Sequence, residues 1–288
     1  MSRPSRIYLA VLAALLLAWL ALQALTPDSL LRRGAPAPLL PVLLLYFSSH
    51  LFRLARLAML SLDQRAHVPA LLAAHGLTAF PSSLLPFKIG EILRLAAFLR
   101  VFDDRRKALA VWLAERCADV LVLAALMLAL SLFQVQLPPA TRTVFLVFLL
   151  VSVFGLLGLF TVARTFVYLN RHLVLNSSSA RGLRLLRASH ALRQLELALK
   201  RSLEGRLTGL LLLSALIWLL EISALALFLE HLAPSNSSFA ALFANGLLNN
   251  LSASPPAASQ YQSLVLAALA VLSLGALGLA RRLHQGKS

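Results

Sequence analysis

Residues 80–100 read FPSSLLPFKIGEILRLAAFLR, an apolar segment with two prolines in its first half. Proline lacks a backbone N–H and disrupts the interior of a helix. The pattern therefore predicts that one helix ends near Phe80 and that another begins near Phe87. Pro81 and Pro86 would then enclose a short apolar turn.

The second of these helices carries charged side chains on one face. Lys88, Glu91 and Arg94 follow one another at intervals of three residues. Residues three or four apart are neighbours on the surface of a helix. In a chain soluble in water such a stripe would face solvent, but within a membrane it must be paired or must line a polar cavity.

The composition of the whole chain is that of a membrane protein. The 288 residues are 59% hydrophobic and only 13% charged, and the mean hydropathy is +0.81. Soluble domains carry about 25% charged residues, and several apolar runs here reach the roughly 20 residues that cross a bilayer as a helix. The sequence therefore predicts an all-α, polytopic helical membrane protein, with one transmembrane domain over residues 1–288.

The chain is strongly basic, with a formal net charge of +16. Binding to nucleic acid is one explanation of such a charge. The basic residues lie between apolar segments, however, where cytoplasmic loops beside anionic lipid account for them better, so we expect no nucleic-acid partner. Cys117 is the only cysteine and the seven histidines show no ligand spacing, so we expect no metal site and no cofactor.

About six full spans and two shorter, proline-interrupted segments are predicted along the chain. The shorter segments, 69–100 and 239–260, are predicted to be re-entrant half-helix elements that enter from the inside and from the outside, respectively. Paired broken helices are typical of transporters built as inverted repeats, so an inverted repeat of residues 1–133 and 207–288 is one organisation that the pattern allows. The full spans are 7–25, 39–60, 108–133, 144–162, 207–228 and 264–280.

The only long polar segment, 164–206, contains nine basic and two acidic residues. Leucines at near-helical spacing predict that it contains a basic amphipathic helix on the cytoplasmic leaflet, in contact with anionic lipid. Loops 133–141 and 231–238 lack Lys and Arg and are predicted to lie outside. We therefore expect a bacterial cytoplasmic (inner) membrane location with both termini in the cytoplasm. The leucines are Leu183, Leu186, Leu192, Leu195 and Leu199.

Two charged motifs resemble those of a known family. PFKIGEILR at 86–94 resembles the P-x-x-x-G-E-x-x-R element of the membrane domain of lysylphosphatidylglycerol synthases and related flippase-like proteins. AERCAD at 114–119 resembles that family's E-R-x-x-D at the start of the following span. The two motifs occur in the right order, and the resemblance covers nearly the whole chain.

The chain also departs from the family pattern. The family's late element is rich in proline and glycine and is followed by glutamate, whereas residues 252–262 read SASPPAASQYQ. Few residues follow the last predicted span, so we expect this protein to lack the soluble aminoacyl-transfer domain of the bifunctional synthases. The resemblance therefore implies movement of a lipid rather than synthesis of an aminoacylated lipid, and we expect a protein that is not an enzyme.

The charged residues of the two motifs are the predicted lipid-headgroup site. Guanidinium and ammonium groups would bind a phosphate, and the carboxylates would position them or attract an amino headgroup. The alternative is a buried ion-pair network that fastens the broken hairpin to the third span. The six residues are Lys88, Glu91, Arg94, Glu115, Arg116 and Asp119.

Further polar residues within apolar segments extend this candidate site. Arg53 and Arg56 share one face of the second span and either extend to the cytoplasmic headgroups or face a polar cleft and meet a lipid phosphate. Glu221 is a lone acid in the fifth span, for which the interpretations are proton coupling, a position near the outer interface, or a local hydrogen bond to Ser223 or Trp218. Asparagines that either line the path or bond between helices are Asn245, Asn249 and Asn250.

Three functions are compatible with these features. The first is a flippase or transporter whose partner is a membrane phospholipid or a lipid-linked glycan. The second is a non-catalytic accessory subunit of an envelope or polyprenyl-lipid pathway. The third is a membrane-embedded enzyme acting on lipid-linked sugars, with Glu91, Glu115 or Asp119 as acid or base.

Overall fold

The protein was analysed as a computed structural model. It describes residues 3–25, 36–84, 89–132, 180–232 and 256–285, together with isolated helical positions between 143 and 172. Throughout these ranges the chain is helical, with short turns and no strand, which confirms the all-α prediction. The predicted span 144–162, apart from a few positions, and residues 239–255 of the predicted element 239–260 lie outside the described residues, whereas residues 256–260 belong to the helix Pro256–Gln285.

The described helices are numbered here in chain order. A short 3-10 helix, Leu62–His67, joins the second helix to the third. The α-helices are α1 (Arg3–Leu25), α2 (Pro36–Leu60), α3 (Val68–Leu84), α4 (Ile89–Val101), α5 (Arg105–Leu132), α6 (Ala180–Leu203), α7 (Leu207–His231) and α8 (Pro256–Gln285).

Three helices of the described ranges are long and apolar enough to cross a membrane. They contain the segments Leu39–Leu60, Leu207–His231 and Gln260–Arg282, and α1 contributes the shorter apolar stretch Arg6–Leu22. These segments coincide with predicted spans and confirm a helical membrane protein. The predicted third span corresponds to α5, whose first half is charged.

Helices α3 and α4 are separate elements, as predicted, but α3 continues past the first of the two prolines. Helix α3 continues through Pro81 to Leu84, so the predicted end near Phe80 is wrong by four residues. Pro81 cannot donate a hydrogen bond to the carbonyl oxygen of Leu77. The hydroxyl of Tyr8 in α1 donates to that oxygen at 2.8 Å, so the helix continues without leaving a buried carbonyl unpaired.

Helices α3 and α4 pack closely against each other on the two sides of the break. A Cβ at Gly90 would lie 2.3 Å from the carbonyl oxygen of Ser82. This approach is too close for any residue with a side chain. The glycine of the G-E-x-x-R motif therefore permits the contact that positions Glu91 and Arg94 beside α3.

Helices α2 and α7 pack side by side, as do α3 and α8, and α5 contacts α4, α6 and α7. The largest apolar cluster contains Leu57 from α2, Phe98 from α4, Val111 from α5 and Leu210 from α7, all of them almost fully buried. Burial of such side chains contributes on the order of 2 kcal/mol each in water. The interior therefore fixes the relative positions of the helices that carry the charged motifs.

Helix α6 lies within the predicted basic segment and carries its leucines, but it is not a free surface helix. Leu199 is fully buried in the core beside α5, and Leu195 packs against the same core. Glu196 is buried and is paired with Arg193 and Lys200. The protein therefore covers part of the face that the sequence assigned to the membrane surface, while Leu183 remains exposed.

The Lys107 cluster, formed by Asp63, Lys107, Ser202 and Arg206, holds three helix ends together. The ammonium of Lys107 donates to both carboxylate oxygens of Asp63 at 2.7 and 2.8 Å, to the Leu60 carbonyl at 3.3 Å and to the Ser202 hydroxyl at 3.0 Å. The guanidinium of Arg206 lies 3.5 Å from a carboxylate oxygen of Asp63. These contacts tie the end of α2, the start of α5 and the end of α6 to one another.

Candidate functional site

A polar cavity of about 610 Å³ lies among α2, α3, α4, α5, α7 and α8. Apolar side chains such as Leu123 and Leu269 form part of its wall, and charged and aromatic side chains form the rest. The charged stripe of α4 was expected to be paired or to line such a cavity, and Glu91 and Arg94 of that stripe lie in its wall. The polar and aromatic lining residues are Tyr46, His50, Arg53, His75, Ser82, Ser83, Glu91, Arg94, Trp112, Arg116, Asp119, Trp218 and Glu221.

Arg56 is the centre of the charged network behind the cavity wall. Its guanidinium donates to Asp119 at 2.5 and 3.3 Å, to Glu115 at 3.0 Å and to the Ser214 hydroxyl at 2.7 Å. The side chains of Arg56 and Glu115 are both 0% exposed. A buried guanidinium needs this density of acceptors to offset the loss of water.

Arg94 shares Glu115 with Arg56. One guanidinium nitrogen of Arg94 donates to the second carboxylate oxygen of Glu115 at 2.7 Å, and another lies 3.9 Å from Glu91. The guanidinium carbon also lies 5.4 Å from the centre of the Phe98 ring, within the range of a cation–π contact. Glu115 therefore links α2 and α4 through two arginines.

Glu91 and Arg116 form the part of the network that reaches the cavity. Their closest atoms are 3.4 Å apart, and both side chains are 30% exposed. The indole N–H of Trp112 donates to the other carboxylate oxygen of Glu91 at 3.3 Å. Arg116 also lies 3.6 Å from Asp119. Among the described residues of the two charged motifs, this pair is therefore the most accessible.

Arg53 and Glu221 form a second ion pair across the cavity lining, between α2 and α7. A guanidinium nitrogen of Arg53 lies 2.5 Å from a carboxylate oxygen of Glu221, which also accepts a hydrogen bond from Ser49 at 3.2 Å. Glu221 is therefore not a lone acid, and its bonds to Arg53 and Ser49 were not among the predicted alternatives. Of the two alternatives for Arg53 and Arg56, the geometry favours the cleft over extension to the headgroups, because both side chains point to carboxylates inside the helical bundle.

The cavity cluster, as we call these eight side chains, combines the two alternatives for the charged motifs. Four guanidinium groups are balanced by four carboxylates, so the cluster is an ion-pair network. Most of its members also line the cavity. Lys88, Asn245, Asn249 and Asn250 lie outside the described residues. The members are Arg53, Arg56, Glu91, Arg94, Glu115, Arg116, Asp119 and Glu221.

The arginines beside the cavity are not saturated by these carboxylates. Within the described ranges, Nε of Arg53, Nε of Arg94, and both Nε and one Nη of Arg116 are buried and have no hydrogen-bond partner. Buried N–H groups are normally paired. These donors belong to arginines that line the cavity, and a phosphate or another oxygen-rich group is the matching acceptor for a guanidinium.

The sequence did not single out two histidines of the cavity, His50 and His75. Their spacing resembles no metal motif, but His50 lies three residues before Arg53 and therefore on the same face of α2. That spacing was the available signal. No group of three His, Cys, Asp or Glu side chains in the described parts of the chain is arranged to hold a metal ion.

The fold and the cavity define a polytopic helical membrane protein with an ion-paired polar cleft. The chain belongs to the family described as the lysylphosphatidylglycerol synthase TM region, whose model matches residues 7–281. This match confirms the resemblance carried by the two charged motifs and relates this membrane protein to lipid metabolism. Comparisons with curated proteins and with solved structures gave no match.

Proposed function

We propose that this protein is a lipid or glycolipid flippase that moves an anionic or zwitterionic headgroup through the polar cavity without covalent chemistry. The observation that carries the proposal is the set of unpartnered N–H donors of Arg53, Arg94 and Arg116 at a cavity inside an apolar helical bundle. Its partner would be a membrane phospholipid or a lipid-linked glycan.

The energetic problem of a flippase is the transfer of a charged headgroup through hydrocarbon. One charge at the centre of a bilayer costs at least about 3 kcal/mol on insertion scales. Fixed guanidinium donors at the cavity can replace the lost hydration of a phosphate. The partly exposed carboxylates Glu91 and Glu221 can do the same for an ammonium group, which is why a zwitterionic headgroup is included.

The contacts of the carboxylates favour binding over acid–base catalysis. Glu91, Asp119 and Glu221 line the cavity, and each lies within ion-pair distance of an arginine. A general acid must hold a proton that it can transfer, whereas a carboxylate paired with arginine is stabilised in its ionised form. This arrangement supports a transporter over a membrane-embedded enzyme.

The membrane placement belongs to the same proposal. Four basic residues of α6 are exposed, and they would face the anionic inner leaflet of a bacterial cytoplasmic membrane, with both termini in the cytoplasm. Labelling of a cysteine introduced at Arg201, in a Cys117→Ser background, tests this orientation in intact cells. We expect protection from an impermeant reagent, and labelling from outside would contradict the assignment. The exposed residues are Arg184, Arg187, Lys200 and Arg201.

The decisive experiment is lipid scrambling by the reconstituted protein, with a charge exchange between Glu91 and Arg116. The double variant Glu91→Arg, Arg116→Glu keeps an ion pair at the cavity but interchanges its charges. If the pair binds headgroups, movement of a fluorescent phospholipid falls to the rate of protein-free vesicles while the protein remains folded. The exposed Arg65→Glu on the 3-10 helix is the matched control and keeps the wild-type rate.

Arg116 is a better partner for this exchange than Arg94. Arg94 lies 2.7 Å from the fully buried Glu115, whereas Arg116 lies 3.6 Å from Asp119, so Arg94→Glu would bring two carboxylates closer together in a less accessible place and would destabilise the hairpin for reasons unrelated to transport. A folded Glu91/Arg116 exchange variant that scrambles lipid like the wild type would contradict a headgroup role and leave the cavity cluster as a structural network.

A further inference from the structure

Trp112 is a cavity residue that neither charged motif includes. It precedes Glu115, Arg116 and Asp119 by three, four and seven residues, so these side chains share one face of α5. Trp112 lines the cavity and also packs against the apolar cluster that contains Val111. The indole is therefore held between the core and the cavity.

The indole N–H of Trp112 engages one of the two carboxylate oxygens of Glu91. Oε2 accepts this hydrogen bond at 3.3 Å. The other oxygen, Oε1, faces the guanidinium groups, at 3.4 Å from Arg116 and 3.9 Å from Arg94. Charge-assisted bonds between a guanidinium and a carboxylate are usually about 2.7–2.9 Å long. The pair of Glu91 with Arg116 is therefore looser than the two-bond arrangement that these groups commonly form.

A tighter pair would occupy the guanidinium of Arg116. Glu91 and Arg116 lie on different helices, α4 and α5, and both side chains are 30% exposed. A carboxylate that is free to turn can bring both oxygens to a guanidinium and form two parallel bonds. An incoming phosphate would then have to displace these bonds before it could bind the same guanidinium.

We propose that Trp112 is a positioning residue of the headgroup site, which holds one oxygen of Glu91 and so keeps the guanidinium of Arg116 available to a phosphate. The inference rests on the proposed function, because Arg116 is taken to bind the phosphate of the headgroup. Trp112 acts through Glu91 and not through contact with the lipid. Its loss should therefore weaken lipid binding, although the ion pair itself becomes stronger.

The test measures the binding of short-chain phosphatidylmethanol, an anionic lipid without free hydroxyl or amino groups, to the full-length protein in maltoside micelles. In Trp112→Phe the affinity should fall roughly tenfold, because the phosphate must now displace a charge-assisted bond between Glu91 and Arg116. Trp19→Phe is the matched control and should keep the wild-type affinity, since Trp19 is buried against Phe80 and does not line the cavity.

A second substitution distinguishes positioning from direct contact with the lipid. In a Glu91→Gln background no carboxylate at position 91 competes for Arg116, so adding Trp112→Phe should leave the affinity of that background unchanged. A loss of equal size in both backgrounds would mean that the indole binds the lipid itself, and it would overturn the positioning role.

Replacement of the N–H alone separates the hydrogen bond from packing. Benzothienylalanine in place of Trp112 keeps the size of the fused ring but has sulfur where the indole has its N–H. It should reproduce the loss of affinity seen in Trp112→Phe at the thermal stability of the wild type. Wild-type affinity with this analogue would assign the effect of Trp112→Phe to packing and would overturn the proposal.

Two further outcomes separate this inference from the proposed function. Wild-type binding that Trp112→Phe does not alter would overturn the inference and leave the phosphate-binding cavity intact. Absence of binding by the wild type would contradict the proposed function, and the inference with it.

Discussion

The cavity cluster and the Lys107 cluster are both made of ionised side chains, but they differ in how completely those side chains are paired. The ammonium of Lys107 has three donors, and they are used by Asp63, Leu60 and Ser202. In the cavity cluster, Arg116 keeps two buried nitrogens without a hydrogen-bond partner in the described structure.

This difference indicates that the Lys107 cluster stabilises helix contacts, whereas the cavity cluster can also bind a ligand. An ammonium whose N–H groups are all hydrogen-bonded gains no bond when another ligand approaches, so the Lys107 cluster is suited to holding helix ends together. An unsaturated guanidinium at a cavity can gain bonds when an anion enters. The members of the cavity cluster also differ in burial, because Arg56 is buried behind the wall whereas Arg116 is 30% exposed. Substitutions at these positions should therefore affect different measurements.

The largest effect is expected for Arg56→Met. This change leaves Asp119 buried without its closest partner and leaves Glu115 with Arg94 alone, and loss of one partner from a buried ion pair costs about 3–5 kcal/mol. The free energy of unfolding in mixed micelles should fall by that amount. The exposed Arg65→Met is the control and should change it by less than about 0.5 kcal/mol.

A second substitution shows whether the stability lost in Arg56→Met comes from a buried carboxylate left without its counter-ion. Asp119 lies 2.5 Å from Arg56, so Asp119→Asn in the Arg56→Met background should recover part of the lost stability. Additive losses in the double variant would indicate that the two side chains are not energetically coupled and would contradict the geometry.

The next largest effect is expected for Lys107→Met. Removing the ammonium leaves the Leu60 carbonyl and the Ser202 hydroxyl without this donor, at a cost of about 1–3 kcal/mol. Lipid movement per folded molecule should remain at the wild-type rate, since no member of this cluster lines the cavity. Arg106→Met, at an exposed neighbour, is the control, and a folded Lys107 variant without transport would remove the distinction between the clusters.

A smaller effect on stability, but a large one on binding, is expected for Arg116→Gln. Its ion pairs are partly exposed, so stability should change by less than about 1 kcal/mol. Hydrogen bonds to charged groups contribute about 1.5–3 kcal/mol, so affinity for phosphatidylmethanol should fall roughly ten- to a hundredfold. Arg116→Lys should retain part of it. An unchanged affinity would place the phosphate elsewhere in the cavity.

The fold was largely predictable because apolar segments and proline positions can be read directly from the local sequence. The segment predicted as the second span, 39–60, matches the apolar stretch of α2, and the broken hairpin has the expected order of helix, break and helix. The position of the break was not predictable. Tyr8 bonds to the carbonyl that Pro81 leaves free, and this contact joins residues 69 positions apart along the chain.

The sequence singled out the eight charged side chains of the cavity cluster, but not how they pair. Spacing along a helix places Glu91 and Arg94 on one face, yet the closest partner of Arg94 is Glu115, on another helix. Glu221 looked isolated because its partner, Arg53, is 168 residues away in sequence. Pairing across helices depends on how they pack, which local periodicity does not contain.

The smallest expected effect is the acid dependence of the Lys107 cluster. Burial opposes ionisation of Asp63, but the hydrogen bonds and charge of Lys107, with Arg206, outweigh it and hold the pKa of Asp63 below its usual value of 3.8. A depressed pKa stabilises the folded state above the unfolded pKa, and this contribution is lost as the pH falls through the lower, folded value. The unfolding free energy measured from pH 6 to pH 2 should therefore fall less steeply in Asp63→Asn than in the wild type. The difference should be small, because this carboxylate is 46% exposed. Parallel curves would mean that Lys107 holds the helix ends through Leu60 and Ser202 alone. The ion pair with Asp63 would then contribute nothing to the free energy of unfolding.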